Sequence, residues 1–487
     1  MVFHSLQFLT FFAVVVAVYF AAPLRSRWIV LLGASLYFYG VSEPFYLVQI
    51  LAATALSFWL GLKIEAAPDK PAKKRLVTFG IVALAANLIV FKYTSFFNET
   101  LRSLFGMAGW SYSIPVLQIL LPIGISFYTF QLIGYLVDVF RGSKAEHHAG
   151  RFALFVTFFP KLVAGPIERG KNLLPQLHLE HRFDYQRTVA GLQLILWGAF
   201  KKVVVADRIA PFVQQVYDQP HAHDGVAMTL ATWLYAFQIY CDFSGYTDIA
   251  LGVAAIFGYQ LMQNFNRPYF ATSIQDFWKR WHISLTSWLT DYIYTPLTRQ
   301  RVFKMKFYNL MLLGLFVTFL VSGFWHGAQW TFVAWGALHG LYIVISLQTQ
   351  KQRVAFCKAI GLAARPTLHR QVKIAVTFTL VCFAYILFRA NSMADALYIM
   401  SHLHTGWTEG VWAVKDFVGD NHSEFGLALL GIAFVMAVET VQGKVDVGAT
   451  LAKRPWLRWS TYYAGAVSIA LLGAYYGIGQ QFIYFRF

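Results

Sequence analysis

The sequence predicts an all-α polytopic membrane protein, and three observations carry the prediction. Only 13% of the 487 residues are charged and 57% are hydrophobic, whereas soluble domains carry about 25% charged residues. Apolar stretches long enough to cross a hydrocarbon layer about 30 Å thick recur along the whole chain. The basic residues gather in short runs between those stretches rather than along one face. The formal net charge of +17 therefore points to anionic lipid headgroups and away from nucleic acid.

Apolar spans fall near 6–22, 28–41, 44–62, 76–93, 115–140, 187–206, 228–256, 307–323, 327–347, 374–390, 424–441 and 461–481. Backbone polar groups in lipid must bond within their own segment, so the spans are expected as helices. The second is short enough to be a re-entrant or tilted piece. Residues 1–24 hold no Lys or Arg, and Arg25 and Arg27 follow the first apolar run. That is the reverse of a cleavable leader, so the first helix is expected to stay, with its N-terminus outside. Lys63 to Arg75, Arg267 to Lys306 and Lys351 to Lys373 are rich in Lys and Arg, which assigns them to the cytoplasm. Residues 97–114 and 391–423 are poor in basic residues and are expected outside. The result is about 11–13 membrane helices in a single domain over 1–487, with both chain ends outside. Lys201 and Lys202 oppose this scheme, because they fall at an end assigned to the outer face.

Two stretches are neither clean spans nor ordinary loops. Residues 151–170 are apolar but broken by Pro160, Gly165 and Pro166 and carry Lys161, Glu168 and Arg169. Residues 264–300 mix Trp and Phe with Arg, Lys and Asp. Charge and irregular backbone persist at membrane depth only beside protein or a watery cavity. Both are expected as re-entrant segments lining an internal funnel; amphipathic helices on the membrane surface would look similar.

Within this frame a few polar residues stand out. His326 lies between the runs 307–323 and 327–347, flanked by Gly323 and Gly327. An imidazole there is costly unless it faces a cavity or a partner. It serves either as an acceptor of a hydroxyl proton near neutral pH or as a hydrogen-bonded packing residue. His282 sits in Phe277-Trp278-Lys279-Arg280-Trp281-His282-Ile283-Ser284-Leu285, followed by Trp288 and Asp291. On a helix, Trp278, Trp281, His282 and Leu285 share one face. Lys279 and Arg280 beside it are suited to phosphates or carboxylates, or to lipid headgroups if the helix is interfacial. His339, 13 residues beyond His326, reads as structural. Asp242, Ser244 and Asp248 fall within an apolar span and call for a polar network, the funnel wall or a proton relay. Cys241, Cys357 and Cys382 show no CxxC pattern and no metal-ligand spacing, so neither a disulfide framework nor a metal site is expected. No nucleophile elbow, phosphate loop, HExxH or dinucleotide fingerprint is present.

The blocks Phe277–Tyr294 (FWKRWHISLTSWLTDYIY) and Gly323–Ala328 (GFWHGA) resemble the membrane-bound O-acyltransferase (MBOAT) family, in its bacterial alginate O-acetylase branch. Leu121–Tyr128, Ala164–Pro166, Asp242–Tyr246 and Asn264–Tyr269 fit the same pattern in order. The resemblance implies a helical bundle around a central tunnel, in a bacterial inner membrane. It implies His326 as the catalytic histidine and His282 as a second family position. It implies acetyl-CoA, or an acyl carrier, as a cytoplasmic donor substrate with no bound cofactor. It implies an extracytoplasmic hydroxyl as acceptor, the acyl group being received by an SGNH-type acetyltransferase partner for a polysaccharide such as alginate or for peptidoglycan. Lys279 and Arg280 would draw the donor's phosphates, Trp281 and Asp291 would line its path, and Trp325 would offer an indole N–H to the oxyanion. D-alanyl transfer from a carrier protein is the neighbouring alternative, and a polysaccharide or secondary transporter the alternative from another class. The C-terminal Phe482-Ile483-Tyr484-Phe485-Arg486-Phe487 resembles an aromatic motif of some relatives. There Tyr484 would relay the acyl group; an interfacial aromatic anchor would look the same.

Overall fold

The computed structural model describes residues 3, 5–115, 120–299, 305–445, 447–474 and 482–483. No strand occurs among them, and each expected span overlaps a helix among these residues. Among the described residues, seven helices are long and apolar enough to cross a membrane, and Leu6–Ala21 and Ile125–Phe140 are shorter apolar helices. Large apolar side chains such as Leu6, Phe45 and Leu471 are exposed, as expected where lipid rather than water is the solvent. This is a multi-pass, all-α membrane protein.

The described chain forms two compact units, residues 1–195 with 249–262, and 196–248 with 263–487. In the first unit, α1 (Leu6–Ala21) begins where Ser5 accepts a hydrogen bond from the Phe8 N–H, and α2 (Arg27–Ser42) packs against it. Next come α3 (Tyr46–Ala66), α4 (Lys70–Met107) and α5 (Ile125–Phe140). Asp69 caps α4 by accepting from the Ala72 N–H, with Pro71 in its first turn. These are the preferred residues at such a terminus. Its apolar run was expected to end near residue 93, yet the helix continues to Met107. At 38 residues it is about 57 Å long, well beyond the hydrocarbon thickness. The span expected to begin at residue 115 becomes helical only at Ile125. Gly124 adopts φ +76, and a Cβ on it would meet the Leu162 carbonyl at 2.5 Å, so a glycine is required there.

Residues 149–177 form short helices, Ala149–Thr157, Phe159–Leu162 and Gly170–Leu177. Lys161, Glu168 and Arg169 are buried, which excludes the membrane-surface alternative. Lys161 donates to the Gln131 side chain at 2.6 Å and the Val156 carbonyl at 3.1 Å. Glu168 accepts from the Asn172 side chain at 2.7 Å and from the Met262 N–H. Internal partners are what make such charges tolerable away from water.

The chain passes from the first unit into the second along α6 (Tyr185–Asp218), which widens into a π-helical turn at Phe200–Ala206. It continues through α7 (Gly225–Phe257) to α8 (Phe307–His326), α9 (Trp330–Gln348), α10 (Pro366–Arg389), α11 (His422–Gln442) and α12 (Pro455–Leu472). The wide turn accounts for the two lysines that opposed the topology. Lys201 pairs with Asp248 at 2.8 Å and donates to Ser244 at 2.8 Å. Lys202 lies 2.7 Å from both Asp207 and Asp242. They are buried members of a polar network rather than loop charges, so they do not count toward orientation.

Candidate active site

The hairpin of α8 and α9 places His326. Gly323 and Gly336 let the two backbones touch: a Cβ on Gly323 would meet the Phe332 carbonyl at 2.3 Å and the Gly336 Cα at 2.9 Å. Small residues at a membrane helix crossing permit this approach. The helix stops at His326 because Gly327 turns extended, with the Phe332 ring packed where a Cβ would stand. His326 is 3% exposed. Its ring neighbours are aromatic, with centroids at 5.0 Å for Trp325, 5.0 Å for Trp335 and 5.3 Å for Phe388.

The segment carrying His282 was expected as one helix from Trp278 to Leu285. It is instead two, Ile274–Trp278 and Ile283–Leu289, broken at His282, whose φ of +45 is left-handed. The cause is tertiary. The Asn264 carbonyl accepts from the Ile283 N–H, and its side chain accepts from the N–H and hydroxyl of Ser284. Two residues on, the Asn266 N–H donates to the Arg280 carbonyl. The sequence blocks 264–269 and 277–294 thus lock together and hold His282 in a conformation worth about 1–3 kcal/mol of strain. Such strain, maintained by surrounding bonds, is common where a side chain must be aimed. The aim is toward His326, since the two imidazole centroids lie 6.2 Å apart. Trp325 lies 6.0 Å and Phe243 4.8 Å from His282.

The remaining expected residues fall around this pair in different ways. Trp325 touches both histidines. Trp281 packs among Phe265, Phe277 and Tyr385. Lys279 is exposed, and Arg280 is paired with Asp276 at 2.8 Å. Burial raises the Asp276 carboxyl, but the hydrogen bonds from Arg280 and the Thr272 N–H outweigh it and leave the pKa below the ordinary value. Asp291 is half-buried in a π-helical turn at Thr290–Tyr294. Tyr484 lies outside the described residues. Just before it, Phe482 packs on Tyr246 at 4.8 Å and Phe243 at 5.9 Å. The Ile483 N–H donates to Asp242 at 2.8 Å. The lysine–aspartate network therefore also holds Phe482 and Ile483 beside the wall of the histidine pair.

Trp335 was not singled out from the sequence, yet it stands between two histidines. His326 lies on one contact and His339, at 4.9 Å, on another. His339 accepts the Trp278 indole N–H at 3.3 Å. The Trp335 indole nitrogen is buried without a hydrogen-bond partner among the described residues. A buried, unused donor beside an imidazole suits an oxygen that gains charge during a reaction.

The family model for membrane-bound O-acyltransferases matches residues 144–388, which hold both histidines. The chain belongs to the MBOAT family. It is similar to a probable alginate O-acetylase of Azotobacter vinelandii, 35% identical over 90% of this chain and 84% of the relative. It is also similar to a peptidoglycan O-acetyltransferase of Helicobacter pylori, 32% identical over 82% of this chain and 77% of the relative. A teichoic acid D-alanyltransferase of Bacillus subtilis is 27% identical over 55% of this chain and 68% of the relative. This MBOAT protein is accordingly an acyltransferase.

Proposed function

We propose that the protein is a bacterial inner-membrane O-acetyltransferase that moves acetyl from cytoplasmic acetyl-CoA to an extracytoplasmic hydroxyl, for modification of a surface or wall polysaccharide. The observation that carries the reading is the His326–His282 pair enclosed by Trp325, Trp335 and Phe388. The acetyl preference rests on the longer and closer similarity to O-acetylases than to D-alanyltransferases.

The acceptor oxygen attacks the thioester carbonyl while the His326 imidazole takes its proton. The C–S bond then breaks, the new ester leaves, and the imidazolium returns the proton to the departing thiolate. The reacting thioester and hydroxyl, and the ester and thiol they become, are uncharged groups, and an aromatic enclosure suits that chemistry because it excludes water that would hydrolyse the thioester. The indole N–H of Trp335 or Trp325 stabilises the oxyanion. His282 orients His326 or the acceptor. Lys279 and Arg280 draw the donor's phosphates, with Trp281 and Asp291 along its path. Outside, an SGNH-type partner receives the acetyl group, with Tyr484 as an intermediate carrier.

The test is CoA release from labelled acetyl-CoA by purified protein with an acceptor alcohol. His326→Ala should abolish release while expression and elution are unchanged. Full activity in that variant rejects the reading, and release from a D-alanyl carrier but not from acetyl-CoA selects the D-alanyl alternative.

A further inference from the structure

We infer that the hairpin of α1 and α2 is a binding site for one anionic phospholipid, with the acyl chains in an apolar groove and the phosphate in an adjoining basic cavity. Nothing in the acyl-transfer reading requires this site, and all its residues lie in the first unit.

The groove, of about 890 Å³, is lined by one stripe of each helix, from Leu6 to Val18 on α1 and from Ile29 to Tyr37 on α2. Gly33 opens its floor, since a Cβ there would meet nothing within 4 Å. An unfilled apolar groove on a span is a place for lipid chains, because water is absent and chain atoms recover the lost dispersion contacts.

The groove ends at Val18 and Ile29. One residue further along each helix, Tyr19 and Trp28 begin a second cavity of about 330 Å³. Its charged lining is Arg25, Arg27 and Arg151 against the single carboxylate of Glu180. Burial lowers the pKa of His181 in its wall, so the positive charge there rests on the arginines. Arg27 is fixed as part of the frame, donating to the carbonyls of Phe20, Ala22 and His181. Arg151 donates to His178 at 2.5 Å, which turns to Glu146, but its Nε is buried without a partner among the described residues. Arg25 is exposed at the rim. A buried guanidinium donor left over beside two further arginines is the chemistry that holds a phosphate. The cavity lies where the apolar α1 has just ended, which is headgroup depth for a lipid whose chains lie along that helix. Groove and cavity together therefore match a phospholipid, and neither half alone requires one.

Native mass spectrometry after purification with equal amounts of phosphatidylglycerol and phosphatidylcholine tests the site. The wild type should retain phosphatidylglycerol. Arg25→Gln with Arg151→Gln should lose about thirtyfold in that preference, given the usual gain per arginine near an anionic surface. Lys74→Gln, an exposed lysine on α4, should retain it. Gly33→Leu fills the groove and provides an independent check, since it leaves the arginines intact yet should also weaken retention. Equal retention by the arginine variant and the wild type would overturn the proposal, as would an equal loss in Lys74→Gln. Undiminished binding in Gly33→Leu, or displacement of the lipid by glycerol 3-phosphate at matched concentration, would make the cavity a site for soluble phosphate and overturn the lipid assignment.

Discussion

Two clusters in the second unit bury polar side chains, and they do it in opposite ways. Lys201 and Lys202 each meet carboxylates at salt-bridge distance, whereas His326 and His282 are surrounded by Trp325, Trp335, Phe388 and Phe243. A lysine that stays charged when buried needs acids beside it to offset the lost hydration. An imidazole can remain neutral and needs no such match, so it can sit among rings and wait for a proton. On the proposed function, the difference separates a fixed scaffold from a site with chemistry left to do. The scaffold also reaches Ile483, since Asp242 bonds both Lys202 and the Ile483 N–H.

If that division holds, damage to the scaffold should cost folding and damage to the ring of aromatics should cost turnover. Lys202→Met leaves Asp207 and Asp242 facing each other in a buried site. A loss of about 3–5 kcal/mol is expected for a broken buried pair, read as missing monodisperse protein in fluorescence-detected chromatography. Adding Asp242→Asn should recover part of the yield. Trp335→Phe keeps a ring against His326 but removes the indole N–H. It should lower kcat about a hundredfold with little change in melting temperature; an unaltered kcat would leave Trp325 as the donor. The smallest effect is expected for Lys279→Gln, whose side chain is exposed. It should raise KM for the phosphorylated donor a few-fold, with an increase that shrinks at high salt, and leave kcat alone.

The spans were legible because a bilayer demands long apolar segments, and that demand is written into local composition. Their ends were less so. The chain turns polar at Lys92-Tyr93-Thr94-Ser95, which ends the apolar run without ending the helix, and that helix persists to Met107. The lysines opposed the topology scheme for a related reason. Positive charge was counted by position, while two of the three aspartates that cancel it, Asp242 and Asp248, lie far off in sequence on α7, which no local pattern reveals; only Asp207 is a near neighbour. His326 and His282 were recognisable as residues, but the break at His282 depends on Asn264, so the expected continuous helix could not have shown it. Trp335 went unnoticed because its place beside His326 is set by the Gly323–Gly336 contact rather than by spacing.

The most direct measurement of the histidine's role is chemical rescue in His326→Gly, which removes the imidazole and leaves space for a free one. Acyl transfer by this variant should be negligible in buffer and should rise with added imidazole, in proportion to its neutral form. Lys202→Met, whose defect is in folding, should show no such recovery. Transfer at the wild-type rate in His326→Gly without imidazole would contradict the assignment of proton transfer to this ring.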